Sequence, residues 1–331
     1  MASVDWLTDE LAALLAPYRH QPERLAALLR DPWAEQRADH TVDVVLFTIR
    51  AGRLYVLLVE RKGTFGGFWA LPGGFVGMRE HFVQAAFREL FEAVLDLPAD
   101  ATLAELWRRA AELGLHMEQL GTYDDPGRDP RRRTITTAFV GLLPEGRVHA
   151  VAGSDVVRAD WWPVDALPPP APATSEAELW APVSPGAPLP PGLTTRRDAG
   201  GRLLRRRTLA FDHDLMLADA RARVASKAEY TLLAFHLVGD TFTMKQLAQV
   251  YEVLWGEKLV DKPGGLANFR RLMDSLDKRM LQTRGFHVFE RTGNRVSLAA
   301  TGRKAEVYRK LWVGSPGLIT KGKDVETRGR R

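Results

Sequence analysis

The 331-residue chain has no cysteine. That excludes disulfides, thiolate metal sites and cysteine nucleophiles, so any chemistry rests on carboxylates, histidines or metals held by oxygen. Long hydrophobic runs are missing too. Nothing approaches the roughly 18 consecutive apolar residues of a membrane span, and the opening MASVDWLTDELAALLAPYR lacks a basic segment followed by an apolar run. A cytoplasmic protein with no membrane partner is expected. Hydrophobic residues still make up 45% of the chain, enough for two ordinary domains with real cores.

Positive charge is scarce in the front of the chain and abundant in the back. Residues 1–206 hold 23 Lys+Arg against 27 Asp+Glu, net −4, whereas residues 207–331 hold 23 against 14, net +9. A neutral front joined to a basic back suggests that the back meets a polyanion.

Residues 1–39 read as a helical extension. Trp6, Leu7, Leu11, Leu14 and Leu15, then Leu25, Leu28 and Leu29, follow helical spacing on either side of Pro17. From Thr41 the period becomes that of strands: TVDVVLFTI and LYVLLVERK flank RAGR, a hairpin turn. A helix follows from about Glu80 to Val94, then a helical insertion near 97–114, then the strands HMEQLGTYDD, TITTAFVGLL and ADWWPVDALP. Strands around a helix predict an α/β/α sandwich with a mixed sheet over 40–227. Residues 167–207 are rich in Pro and Gly and read as an exposed insertion or linker. LAFDHDLMLADARARVASK restarts a helix that Asp212 or Asp214 can cap.

The stretch LPGGFVGMREHFVQAAFRELFEAVLDL, Leu71 to Leu97, has a definite spacing: Gly74, five residues, Glu80, seven residues, then Arg88-Glu89-Leu90-Phe91-Glu92-Ala93. Glu89 and Glu92 are three apart, so a helix places both carboxylates on one face, where they can hold Mg²⁺. Gly73 and Gly74 let a ligand approach backbone N–H groups. Further on, Arg128, Arg131, Arg132 and Arg133 crowd a turn between strands. Guanidinium groups bind phosphate bidentately, so this loop is either a diphosphate clamp or a solvated turn. Gly73, Gly74, Glu89, Arg128 and Arg132 are the candidate ligand-binding set.

This stretch resembles the Nudix box of nucleoside-diphosphate-linked hydrolases, with Glu80, Arg88, Glu89 and Glu92 at the family's fixed positions. Two positions depart from it: Ala93 stands where the family has a metal-ligating glutamate, and Leu95 where it has a glycine. The resemblance implies a pocket with a weak Mg²⁺ pair, Glu89 and Glu92, and no working catalytic residue. On that reading no cofactor is required, Mg²⁺ being the one candidate.

Residues 228–310 read as three helices and two strands. EYTLLAFHLV is the first helix; TMKQLAQVYEVLWG is the second, with Thr243 as N-cap and Gly256 as C-cap. The third, from about Leu266 to Met280, turns Leu266, Phe269, Leu272, Met273 and Leu276 inward and Asn268, Arg270, Arg271 and Asp274 outward. GFHVFE and RVSLAA then flank RTGN, a turn signal. Helix-turn-helix plus a basic hairpin is a winged helix. Asn268 suits adenine, Arg270 or Arg271 suits guanine, and Lys278, Arg279, Arg291 and Arg295 suit phosphates of double-stranded DNA.

Together, TVDVVLFTI, WALPGGFV, EQLGTYDDPGRDPRRRTITTAF, LAFDHDLMLADA, EYTLLAF, LAQVYEVLWG and NFRR resemble the Nudix-related transcriptional regulators, a degenerate Nudix domain fused to a winged helix. The resemblance implies a dimeric repressor or activator of NAD-related or pentose-metabolism genes, binding operator DNA and responding to ADP-ribose or a related phosphosugar. The helical extension, the insertion near 97–114, the proline-rich segment and the basic tail 311–331 are additions to that pattern. The competing readings are an active Mg²⁺-dependent hydrolase of ADP-ribose-like compounds and an interaction adaptor.

Overall fold

A computed structural model describes residues 37–62, 68–94, 101–129, 131–150, 156–167, 209–261, 263–297 and 304–311, with residue 200 and short segments at 180–182, 195–197 and 203–206. The expected N-terminal helices and the tail beyond residue 311 lie outside the described residues.

The front half is built on one mixed sheet. Strand β1 (Asp39–Arg50) turns through Ala51 and Gly52 into β2 (Arg53–Arg61). Both turn residues have positive φ, +47° and +73°, as a tight hairpin requires. Strands β3 (Trp69–Ala70), β4 (Gly73–Phe75), β5 (His116–Tyr123), β6 (Thr134–Leu142) and β7 (Val156–Pro163) complete it. The order is β3-β2-β1-β6-β5, with β4 also on β1 and β7 on β2. The β1–β6 pairing is parallel and the other pairings are antiparallel.

Alternation along the strands makes two cores. Val44, Leu46, Leu57 and Val59 face α1 (Phe82–Val94) and α2 (Leu103–Leu113). Val45, Phe47, Val56 and Leu58 face the other way, toward α3 (His213–Ala228) and the C-terminal module. Two helical layers around a sheet were the sequence expectation. The insertion is α2, started by a Thr102–Glu105 capping box and stopped by Gly114 at φ +71°.

Of the two readings of the proline-rich segment, insertion or linker, its described positions depart from a linker without secondary structure. It contributes β8 (Trp180–Pro182), β9 (Thr195–Arg197) and β10 (Leu203–Arg206), a three-stranded antiparallel sheet. A short ladder of paired backbone needs no hydrophobic period, and Pro182 sits at a strand end, where a missing N–H is tolerated.

In the C-terminal module the expected first helix is a single 3₁₀ segment, Leu233–Leu237. The Thr231 hydroxyl donates to the Lys227 carbonyl at 2.6 Å and accepts from the Leu233 N–H at 3.2 Å, which diverts the backbone from an α-helical course. All five residues of the segment are buried, so their continuous apolar run reflects a position between two modules and not one helix face. Helix α4 (Met244–Trp255) has the expected Thr243 cap, as a capping box with Gln246, and the expected Gly256 stop at φ +71°. Helix α5 runs over Gly265–Arg284, longer than expected.

The wing also differs from its sequence reading. RTGN is not the hairpin turn but a bulge inside β12 (Phe289–Val296), where Arg291 pairs with Tyr308 and Arg295 with Glu306. Gly293 takes φ +78° there. The partner strand is β13 (Ala305–Lys310), which also carries β11 (Thr241–Thr243), so the turn signal marks a bulge that Gly permits equally well. Phe242, Phe289 and Tyr308 of this sheet join Tyr251 of α4, Phe269 of α5 and Met216, Leu217 and Ala220 of α3 in the same core as Phe47 and Leu58. Helix α3 is therefore the wedge through which the front sheet and the winged helix share one core.

Candidate functional site

A cavity of about 380 Å³ opens between the β3–β4 turn, the box helix α1 and the start of α3. Gly73, Gly74, Glu89, Glu92, Ala93 and Arg128 line it, along with Asp43, Arg61, Arg131 and Phe211. The sequence had singled out Gly73, Gly74, Glu89 and Arg128 as ligand-binding, and the fold brings these four together. Arg132 is placed elsewhere: it is not part of the lining, pairs with Asp39 at 2.7 Å and lies over the Phe75 ring at 6.0 Å.

The glycines have a second reason beyond ligand approach. β4 lies on β1 with Gly73 opposite Asp43. A Cβ at Gly73 would overlap the Val42 carbonyl and the Asp43 carboxylate, and one at Gly74 would overlap the Glu89 carboxylate. The glycine pair lets the strand close over two acids.

Arg88 organises the box. Its Nε and Nη2 donate to the Glu80 carboxylate at 2.9 and 3.0 Å, Nη2 also to the Phe75 carbonyl at 2.9 Å, and Nη1 to Glu89 Oε1 at 2.6 Å. Burial opposes ionisation of Glu80, but the Arg88 and Gly77 hydrogen bonds outweigh it and hold its carboxyl below the usual range. Burial of Glu89 prevails over the neighbouring Arg88 and pushes its carboxyl up to about 7. Glu80 and Arg88 thus brace the loop that carries Gly73 and Gly74.

The box offers a metal two carboxylates, both of them in contact with Arg88. Glu92 reaches Arg88 at 3.5 Å, Glu89 is engaged by the same guanidinium, and Ala93 brings a methyl group where a third carboxylate would complete the shell. Among the described residues no group of three His, Asp or Glu side chains is arranged to hold a metal ion.

Arg128 lines the cavity from a buried position in which its guanidinium is engaged by two carboxylates. Its side chain is 3% exposed, with Nε and Nη2 donating to Asp212 at 3.1 and 2.8 Å and Nη2 reaching Asp43 at 3.4 Å. Asp43 also accepts from Thr136 Oγ1 at 2.7 Å and lies 3.3 Å from His213 Nε2. Burial disfavours the Asp43 carboxylate, but His213, Arg128 and Thr136 outweigh it and hold its pKa below the ordinary value. His213 Nδ1 accepts the Leu71 N–H at 2.9 Å, which leaves Nε2–H directed at Asp43. Asp212 occupies the N-cap position of α3 as expected, but without a side-chain cap, because its carboxylate is committed to Arg128. Sequence reasoning missed Asp43 and His213. The signal for Asp43 was a charge in the apolar run TVDVVLF, a residue that must find cationic partners when buried.

On the C-terminal module Asn268, Arg271, Lys278 and Arg279 are exposed along α5, and Arg291 and Arg295 are exposed on β12. Arg270 differs from its expected outward position: it is half-buried near Tyr308, with its Nε shielded from solvent. It sits at the edge of the apolar stripe, next to Phe269, which is in the core. The Glu252 carboxylate accepts from the Leu259 and Val260 N–H groups at 2.6 and 2.8 Å and so fixes the α4–α5 turn.

The NUDIX domain description matches residues 39–182, and the NrtR DNA-binding winged helix domain description matches residues 234–309. The chain thus carries a NUDIX domain followed by an NrtR-type winged helix domain. It is 26% identical over 273 residues, 81% of this chain and 80% of the relative, to the ADPR responsive transcriptional repressor NtrR of Acinetobacter baylyi. The crystal structure of Shewanella oneidensis NrtR with a 27mer DNA matches at a TM-score of 0.53 and 26% identity, covering 82% of this chain and 92% of that one. An ADP-ribose pyrophosphatase of Methanocaldococcus jannaschii is 32% identical over 114 residues, 34% of this chain and 57% of the relative. The NrtR-like architecture agrees with the fold above: a Nudix sheet with its pocket, then a winged helix packed on it through α3.

Proposed function

We propose that this NrtR-like protein is an effector-controlled transcriptional regulator. It binds operator DNA through α5 and the wing, and it senses ADP-ribose or a related nucleotide or phosphosugar in the Nudix pocket. The observation that carries this reading is the pairing, in one chain, of an intact pocket whose box lacks a carboxylate at Ala93 with a helix-turn-helix that exposes Asn268, Arg271, Lys278 and Arg279. A pocket that holds a diphosphate without efficiently splitting it is what a sensor needs. The names of the Acinetobacter and Shewanella relatives support the same assignment.

Helix α3 gives the two functions a common part. Its first turn is tied to the pocket floor through Asp212–Arg128 and His213–Asp43. Its last turn holds Glu118 of β5 through Lys227 at 2.7 Å, and the Ala225 carbonyl accepts from Trp255 of α4 at 3.2 Å. A ligand that shifts the pocket floor therefore acts on the element on which the winged helix is packed, and it biases two winged helices of a dimer toward or away from a two-fold operator.

The test is a gel shift on the DNA upstream of the protein's own coding region, with and without ADP-ribose and at several salt concentrations. Specific binding that falls steeply with salt and changes with ADP-ribose is expected. Mg²⁺-dependent release of AMP at an ordinary enzymatic rate, with no specific DNA binding, would replace this reading by the hydrolase.

A further inference from the structure

Phe211 has a backbone that a phenylalanine rarely adopts. Among the described residues only Ala51, in the β1–β2 turn, shares its non-glycine positive φ, which is +56° at Phe211. Both neighbours are pinned. The Ala210 N–H donates to the Trp69 carbonyl at 2.8 Å, while Asp212 is held by Arg128 and His213 accepts from the Leu71 N–H. A left-handed backbone carries a cost for a bulky side chain and persists only where its surroundings over-determine it. Glycine or asparagine would take this conformation at less cost, and Phe211 packs in part against the core on the α1 side of the sheet. The conformation is worth its cost if the ring itself has a task where it is aimed.

It is aimed into the pocket. Phe211 is half-buried at the cavity wall, and its ring centroid lies 5.1 Å from the Arg61 guanidinium and 5.8 Å from that of Arg131, both of which also line the cavity. Gly73, Gly74, Glu89, Glu92 and Ala93 of the box line the same cavity, as does the exposed Phe75. The pocket therefore combines polar groups fit for a diphosphate's neighbourhood with two aromatic rings, of which Phe211 is the half-buried one and carries the Arg61 and Arg131 guanidiniums over its ring. Such a surface recognises a π-face: aromatic rings and guanidinium planes both stack on bases.

We propose that Phe211 is the base-reading residue of this pocket, a stacking platform for the nucleobase of a nucleoside-diphosphate-linked effector. This rests on the effector reading above and adds to it: the ligand is a nucleotide rather than a base-free phosphosugar, and the base lies on the Phe211 side. The αL backbone fixes the ring before the ligand arrives, which lowers the ordering cost of binding.

The experiment is calorimetric titration of the full-length protein with ADP-ribose and with ribose 5-phosphate, on the wild type, Phe211→Leu and Phe211→Tyr, each checked for its unfolding midpoint. ADP-ribose should bind Phe211→Leu about 10- to 100-fold more weakly, the loss expected for one stacked base. Ribose 5-phosphate should be affected by less than about twofold, and Phe211→Tyr should keep the wild-type affinity for ADP-ribose. Equal loss for both ligands would reduce Phe211 to a packing residue and overturn the assignment. So would an unchanged ADP-ribose affinity in Phe211→Leu. Wild-type protein that binds neither compound would overturn the effector reading itself, a result distinct from either of those.

Discussion

Arg128→Ala separates two roles that the sequence leaves open, a clamp for a ligand's diphosphate and a strut under the pocket. In the structure the guanidinium is 3% exposed and spans Asp212 and Asp43. Removing one partner of a buried ion pair costs about 3–5 kcal/mol, because a carboxylate is left without compensation. Asp43 retains Thr136 and His213, and the Asp212 side chain is 19% exposed, so the lower end, about 3 kcal/mol, applies. In urea unfolding at pH 7 that corresponds to a midpoint lower by roughly 1 M for a slope of about 3 kcal/mol/M. Arg128→Lys should recover less than half of the loss, since one ammonium cannot reproduce the donors from Nε and Nη2 to both acids. The acid limb supplies a second readout. Asp43 has its folded-state pKa depressed, so its contribution is present above the unfolded value of 3.8 and is lost as pH falls below it. Without Arg128 the depression is smaller, and acid unfolding should begin at a higher pH. A variant within about 1 kcal/mol of wild type but deficient in effector binding would refute the strut and restore the clamp.

Three further outcomes are expected. Gly74→Ala should keep the circular dichroism spectrum but weaken effector binding more than about tenfold, because its Cβ must displace the Glu89 carboxylate that shapes the pocket; undiminished affinity would remove that carboxylate from the argument. Arg271→Ala should weaken specific operator binding by about 1–3 kcal/mol in gel shifts with little change in stability. Arg270→Ala should lower the unfolding midpoint as well, since Arg270 is half-buried near Tyr308; the reverse pattern would exchange their roles. Finally, His236 stacks on His116 at 4.4 Å where the 3₁₀ segment meets β5, with Glu118, Lys227 and Lys310 nearby. Burial, then His116 and Lys310, hold its pKa well below 6.5, so stability is full above 6.5 and falls below it by up to about 1.4 kcal/mol per pH unit. Melting midpoints between pH 5 and 7.5 should be flatter for His236→Phe than for wild type, and parallel curves would refute the assignment.

How much of this was legible in the sequence follows from the range of the interactions involved. The strands were readable because alternation such as Val44/Leu46 against Val45/Phe47 is set by a period of two residues. Helix α4 was readable because both of its stops, Thr243 and Gly256, act within one turn. The box was readable because its residues lie on one helix and the adjoining loop. The errors came where a local signal had two physical outcomes. RTGN suits a turn or a bulge, and only the register of β13 decides between them. Arg270 and Arg271 are neighbours at the edge of an apolar stripe, and only the wing tells them apart. LLAFHLV is apolar on every side because it is enclosed by two modules, which no helical period describes.

The cluster of Asp43, Arg128, Asp212 and His213 spans 171 positions, from β1 to the start of α3, and no spacing rule reaches across it. One half of it was nevertheless visible. Asp43 stands in the middle of a strand buried on both faces, and a carboxylate in that position requires cationic partners from somewhere in the fold. Four arginines in RDPRRR competed for that task, and exposure could not rank them from sequence: only Arg128 is buried, because only it is met by Asp212 from the N-cap of α3. The contact that was hardest to read is therefore also the one that joins the pocket to the helix carrying the winged module. A long-range contact of this kind is what coupling between two sites demands, since a contact confined to one module would leave the other unaware of the ligand.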